Sequence, residues 1–339
     1  MRRFILSLIC LSLFLSSGVV AQDAVLNRLE SDLTVRVVNG TSLQAARAER
    51  VLVREMGAIM TNVAQAEDVE GTVTFEDLRI YNFKPYVLTA WVEGVAYHAK
   101  YDGQHFLDHQ PGVVYAFEQT DVLDGLTVQG MNAVVRLQEN GFELEYIINL
   151  TNESRPQRTI RAQALPVRVA LPSGTRSLAV EVERGPDPVE ANLVATTDGM
   201  QGVNVNLPPG PARITVRGFL PAGDTAQFFV GTNLAVAKWS LLAWPADLKI
   251  QNFDLERDSA SSYTEFSRWI GDPLEPNDQI EITVGAPPPE DAEEVFDRPA
   301  PSTQLTSKEN QQPKRRFPWI TILATVILLG SYIVWKIRR

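Results

Sequence analysis

The chain has 339 residues, 45% of them hydrophobic, with 41 acidic against 31 basic side chains and a formal net charge of −10. That is enough apolar material for one or two sizeable cores. The acidity excludes nucleic-acid binding through a basic footprint, and one cysteine excludes a disulfide framework.

Residues 4–20 are apolar and follow Arg2 and Arg3. A short basic start, an apolar stretch and small residues before a cut define a secretory signal. Val19 and Ala21 occupy the −3 and −1 positions of a cleavage after Ala21. This predicts a signal peptide over 1–21 and a mature chain starting at Gln22. Cys10 lies inside the apolar run, and Ser7, Leu8 and Ile9 do not provide the small residues of a lipidation site. The mature chain is then free of cysteine, which removes thiol catalysis and cysteine-ligated metals.

Strand patterns fill the next hundred residues. Residues 33–38 alternate, are rich in β-branched side chains and stop at Asn39-Gly40. Residues 42–67 carry the Ala, Arg, Glu and Met content of a helix. Gly57 interrupts them, and the surrounding pattern predicts two strands about that glycine instead. Residues 71–76 alternate and lead to Asp77-Leu78. Residues 86–93 and 95–101 flank Gly94 and end at Asp102-Gly103, and 112–117 form another apolar strand. Short strands between turn residues predict a sandwich over 22–121.

The order of these pieces resembles a known family. A strand ending at Asn39-Gly40-Thr41 is followed by a second near 48–54. Then come Gly71, Val73, Phe75 and Leu78, spaced as G-x-[FV]-x-F-x-x-L, and a strand from Tyr86 through Leu88 and Ala90 that closes on Gly94. This is similar to the carboxypeptidase regulatory-like, transthyretin-like sandwich. The continuation to Asp121 resembles a bacterial exported subset that adds a longer β domain and a C-terminal membrane helix. Residues 43–49 replace the family's usual Pro-Val-x-Gly-Ala run. The resemblance implies a fold and no active site.

Residues 122–285 read as a second, larger all-β region. Residues 142–148 alternate and meet Asn149-Leu150-Thr151-Asn152. Strands at 165–171, 178–183, 203–207, 213–217, 226–230, 235–244 and 279–284 are separated by glycine and proline turns. One large sandwich or two small ones satisfy this pattern equally.

Residues 286–316 change to proline, acid and amide, the composition of a disordered stalk. Residues 317–335 hold nineteen residues without a charge. At 1.5 Å per residue they reach about 28 Å, which predicts a single transmembrane helix. Lys314, Arg315 and Arg316 on one side balance Lys336, Arg338 and Arg339 on the other. The cleaved signal breaks the tie: the body is translocated, and 336–339 form a cytoplasmic tail. With eight of the 31 basic residues outside 22–313 and every acid inside, that body keeps 23 basic against 41 acidic residues, a net charge of −18.

The chain's three histidines, His98, His105 and His109, fall in one hairpin-like stretch beside Asp102 and Asp108. Imidazole with carboxylate suits zinc or copper. Their spacing matches no metal motif, and surface histidines near a turn are the plainer expectation. Glu143/Glu145 and Glu181/Glu183 each share one strand face, which fits the solvent side of a sandwich better than a glycosidase pair. Residues 272–278 form an acidic loop with two prolines, a poor calcium loop. Asn39, Asn149 and Asn152 open N-x-[ST] triplets that read as turns. Trp91, Trp239, Trp244 and Trp269 offer the rings of a sugar-stacking platform, but Trp91 and Trp239 sit in strongly apolar strands and read as core, and no serine or threonine has a base partner.

The expectation is an all-β protein: an N-terminal transthyretin-like sandwich, a second larger β-sandwich region and one transmembrane helix. It is expected to be no enzyme, to have no catalytic residue or cofactor, and to be a membrane-tethered extracytoplasmic binding or scaffolding module. Its partners are the membrane, through the C-terminal helix, and an envelope protein or polymer, with no nucleic acid. A carbohydrate- or metal-binding accessory role is the alternative.

Overall fold

The computed structural model describes residues 28–285 apart from 224, 253–254 and 259–264. The expected signal, stalk, transmembrane segment and tail lie outside the described residues. Among the described residues no helix is long and apolar enough to cross a membrane. The body is all-β, built from several sheets.

The first core is made by β1 (Arg28–Asn39), β2 (Arg47–Glu55), β3 (Thr61–Glu70), β4 (Thr72–Tyr81), β5 (Pro85–Val92), β6 (Val95–Asp102) and β7 (Gly112–Ala116). They form two sheets, β4-β1-β7 and β3-β2-β5-β6. Leu33, Val35 and Val37 of β1 point inward at period two and are fully buried. They pack with Val51 and Val53 of β2, Leu88 and Ala90 of β5 and Val114 of β7. Gly57 lies between β2 and β3, so the segment with helical composition is a hairpin. Pairing with β3 and β5 holds Ala48, Val51 and Val53 in the core, and that tertiary gain overrides weak helix propensity. The β5–β6 turn uses Glu93 and Gly94, both at positive φ, the geometry that matches strand twist.

Residues 103–107 depart from the expected turn. They form helix α1 (Gly103–Leu107), whose start is capped by Asp102, Oδ1 accepting from the His105 amide at 2.9 Å. Phe106 from this helix is fully buried against Tyr86, ring edge to ring face. A Cβ at position 103 would lie 1.8 Å from the Tyr81 carbonyl oxygen, so the chain enters the helix here only as glycine.

The second core follows. Its strands are β8 (Gln119–Thr120), β9 (Leu126–Gln138), β10 (Gly141–Asn152), β11 (Thr159–Ile160), β12 (Val167–Val169), β13 (Arg176–Glu183), β14 (Pro188–Val189), β15 (Asn192–Ala195), β16 (Gln201–Asn204), β17 (Gly210–Pro221), β18 (Thr225–Gly231), β19 (Trp239–Trp244), β20 (Lys249–Gln251), β21 (Leu255–Arg257), β22 (Ser267–Gly271) and β23 (Gln279–Gly285). Eight of them join as β14-β13-β17-β10-β9-β19-β22-β21. The smaller sheets β12-β16-β15, β18-β23-β20 and β11-β8 supply further core residues. Phe142, Leu144, Tyr146, Ile148 and Leu150 of β10 alternate and are all buried. They meet Phe228 and Val230 of β18 and Ile282 and Val284 of β23. The Tyr146 hydroxyl, buried among them, donates to the Phe229 carbonyl at 2.7 Å and ties the two layers. Burial pushes its phenol well above the usual range.

Candidate functional site

The histidines do not converge. His98 on β6 is not a surface residue: its side chain is 12% exposed. Its Nδ1 lies 3.0 Å from the Thr89 hydroxyl. Gly185, from the loop after β13, packs on the ring so closely that a Cβ there would sit 2.6 Å from His98 Cδ2. Burial, then the positive charge of Arg184, push the imidazole down to about 4, while Asp187 opposes the shift. Asp187 Oδ2 is 3.9 Å from Nδ1, an ion-pair distance, but the ring is neutral at pH 7 and the contact is not a salt bridge. His105 stacks on Tyr101 with ring centroids 4.4 Å apart, and its Nε2 reaches the Pro111 carbonyl at 3.2 Å. His109 follows α1 at a φ of 57°. Among the described residues no group of three His, Cys, Asp or Glu is placed to hold a metal.

His98 belongs to a seam between the two cores. Arg54 of β2, almost fully buried, donates to both carboxylate oxygens of Asp187 and, at 3.0 Å, to Thr89. The Arg54 hydrogen bonds hold the Asp187 carboxyl below the usual range. Arg184 donates to the Ala96 carbonyl, and burial brings its guanidinium down to about 10. The Tyr97 hydroxyl meets Thr159 at 2.8 Å and the Phe117 carbonyl at 3.1 Å. These partners are far apart in sequence, 133 positions for Arg54 and Asp187, so no local spacing announces them.

A different feature has the form of a binding surface. The outer face of the eight-stranded sheet carries three depressions side by side. Cross-strand register aligns Arg217, Glu145, Val134 and Leu242 in one row, and Thr215, Ile147, Asn132, Ser240 and Ile270 in the next. A groove of about 530 Å³ is lined by Val134, Ile147, Leu242 and Trp244 with Arg136, Gln138 and Glu145 among them. Trp244 is 45% exposed there. A second depression, of about 350 Å³, is lined by Asn132, Asn149, Lys238, Ser240, Arg268 and Ile270, among others. A third, of about 550 Å³, lies toward Glu143, Ala179 and Arg217.

Glu145 corrects the expectation of a plain solvent face. It is 6% exposed, covered by Arg136 and Arg217 from the two neighbouring strands at 2.9 and 2.8 Å. Burial alone raises its carboxyl, but the hydrogen bonds from Arg217 and Arg136 outweigh that and hold it below the usual range. It is an ion-pair hub and not a proton donor at neutral pH. Glu181 and Glu183 remain exposed on β13, paired to Arg217 and Arg213.

The remaining candidates settle individually. Trp239 is core, 3% exposed, whereas Trp91 is only half-buried, with the Arg50 guanidinium 3.7 Å above its ring. Asn39 forms the expected turn, accepting from the Thr41 and Ser42 amides. Asn149 lies mid-strand in β10 and not in a turn, because its neighbours Ile148 and Leu150 complete the buried alternation. Asn152 is buried at that strand's end, its amide donating to the Arg158 and Leu207 carbonyls. Asp278 Oδ2 accepts from the Glu275 amide at 3.0 Å inside its own turn.

No protein-family model matches the chain, so the carboxypeptidase regulatory-like assignment gains no support there. No curated protein matches it either. Among solved structures it is similar to an M1 zinc metallopeptidase from Deinococcus radiodurans, at 12% identity and a TM-score of 0.29, over 48% of this chain and 42% of that one. The chain thus spans about two fifths of that enzyme's length. It is also similar to the T6 backbone pilin of serotype M6 Streptococcus pyogenes, at 9% identity and a TM-score of 0.18, over 75% and 80% of the two chains. With TM-scores this low, neither likeness carries an argument about this chain.

Proposed function

We propose that the protein is a non-enzymatic binding or scaffolding module of the cell envelope. In this reading a cleaved signal exports the body, and the helix at 317–335 tethers it on the stalk of 286–316. Its first sandwich is a carboxypeptidase regulatory-like domain, a reading supported by the motif residues of β4 and β5 and by the two-sheet arrangement of seven strands. The observation that carries the proposal is the outer face of the eight-stranded sheet. There a groove of about 530 Å³ places the half-exposed ring of Trp244 beside Leu242, Ile147 and Val134, with Arg136, Gln138 and Glu145 as its polar groups. Concave apolar surface with a few fixed polar groups is the common form of a ligand site. The titratable groups described above serve structure: Glu145 is held ionised between two arginines and His98 is kept neutral in the seam. This favours recognition over catalysis.

The test is site-specific photo-crosslinking in whole cells, with a photoreactive residue at Leu242 and a control at Thr74 on exposed β4. The expected result is an adduct at Leu242, identified by mass spectrometry as an envelope component, and none at Thr74. No adduct, or the same adduct at both positions, overturns the proposal.

A further inference from the structure

The depression beside the tryptophan groove is lined by donors of both cationic and neutral kind and by no carboxylate. Arg268 lines it with a side chain 41% exposed, and its Nε, buried beneath the guanidinium surface, has no hydrogen-bond partner. Asn149 Oδ1 accepts from Arg213 Nε at 3.1 Å, and because that nitrogen can only donate, the contact fixes the amide orientation and leaves its N–H₂ to donate elsewhere. Asn132 Oδ1 accepts from the Ser240 hydroxyl at 2.7 Å, which leaves Asn132 the same choice. Lys238 and Arg268 line the depression, and no aspartate or glutamate does. In a body with a net charge of −18, two cations without a lining acid are a local exception.

The charge balance narrows the ligand. Arg268 has Asp258 at 3.7 Å on its other side, so it is partly compensated. Lys238, exposed, is the remaining cation. One extra positive charge with neutral amide donors suits a singly charged, planar carboxylate better than a doubly charged phosphate. Trp244 lies four residues along the same face of β19, about 13 Å from Ser240 at strand rise. A saccharide presents an apolar C–H face to stack on an aromatic ring and hydroxyls to meet Gln138, Arg136 and Glu145 around it.

We propose that this face binds an acidic oligosaccharide, its carboxylate held at Asn132, Asn149 and Arg268 and a sugar ring further along the same chain stacked on Trp244. This rests on the reading of the outer face as a binding surface and names the ligand class it takes. Binding to the full chain in detergent micelles is measured with oligogalacturonate, its methyl ester and oligoglutamate. The acid saccharide is expected to bind, and the ester to bind about tenfold more weakly or not at all, since a charge-assisted contact is lost. Lys238→Glu, on an exposed side chain that the fold does not depend on, is expected to weaken the acid saccharide by about tenfold or more and leave the ester unchanged. Trp244→Ala is expected to weaken both saccharides. Equal binding of acid and ester, insensitivity to Lys238→Glu, oligoglutamate binding as tightly as the saccharide, or no saccharide binding at millimolar concentration overturns the inference. If that happens while the Leu242 crosslink persists, the binding surface stands and only its ligand class falls. If both fail, both readings fall.

Discussion

Arg54 of the first sandwich grips Asp187 of the second core with both arms of its guanidinium. The arginine side chain is 9% exposed and the aspartate 25%, so the pair is largely withdrawn from water. Two β units joined by a short crossing at 117–121 gain a fixed orientation from such a contact, because a forked ion pair resists rotation as well as separation.

Removing either partner leaves the other buried and unpaired. Arg54→Ala or Asp187→Ala is expected to cost about 2–4 kcal/mol, below the full value for a buried pair because Asp187 keeps some solvent. Arg54→Lys should recover little, since a point charge cannot bridge both oxygens and Thr89 together. Chemical unfolding of the two single variants and the double variant gives the coupling directly. Additive effects would show that the pair does not hold the seam.

His98 makes the same seam sensitive to acid. Its folded value of about 4 lies below the reference of 6.5, so the unfolded chain binds more protons between those limits. The stabilisation is therefore complete above pH 6.5 and is lost as pH falls toward 4. The full span amounts to about 3 kcal/mol at most. Asp187, with a depressed carboxyl, adds a further loss at still lower pH as it is protonated. Urea midpoints at pH 7 and pH 5 should differ in the wild-type chain and converge in His98→Asn. A His98→Asn variant with unchanged pH dependence would rule this out.

Tyr146→Phe probes the tie between layers in the second core. The change removes a few cubic ångströms at most but leaves the Phe229 carbonyl without its hydroxyl partner. A loss of about 1–2 kcal/mol is expected, the range for an unsatisfied buried group. Calorimetry on Tyr146→Phe beside Tyr101→Phe gives a comparison, because the Tyr101 hydroxyl bridges the Val113 amide and carbonyl in the first core. No loss in either variant would mean that these hydroxyls contribute nothing.

What the sequence makes legible follows from how local each cause is. The alternation of Phe142, Leu144, Tyr146, Ile148 and Leu150 is visible because a strand's two faces are written at period two. The covering of Glu145 is not, since Arg136 and Arg217 reach it from two other strands, one of them 72 positions away. The burial of His98 depends on a loop at 184–187, which no pattern around residue 98 reports. The helix at 103–107 is too short to show a period, although Asp102 three residues before His105 is an N-cap signal. The donor depression draws Asn132, Asn149, Ser240 and Arg268 from four strands. The nearest sequence trace of it is a polar residue set between Trp239 and Leu241 in an otherwise apolar strand.

The topology proposal gives the last prediction. If the signal is cleaved after Ala21 and 317–335 stops transfer, the body faces away from the cytoplasm and the mature chain starts at Gln22. Protease added to spheroplasts should then attack first within the proposed stalk of 286–316, a reading that its proline- and acid-rich composition motivates. The expected products are a folded soluble fragment ending in that stretch and a small membrane-bound stub carrying 317–339. The soluble fragment should keep the acid-sensitive unfolding assigned to His98, because the seam lies wholly within 28–285. N-terminal sequencing starting at Gln22 and mass spectrometry of the stub read both ends. Full protection of the body in intact spheroplasts, with cleavage only after lysis, would place it in the cytoplasm and remove the tethered-module reading.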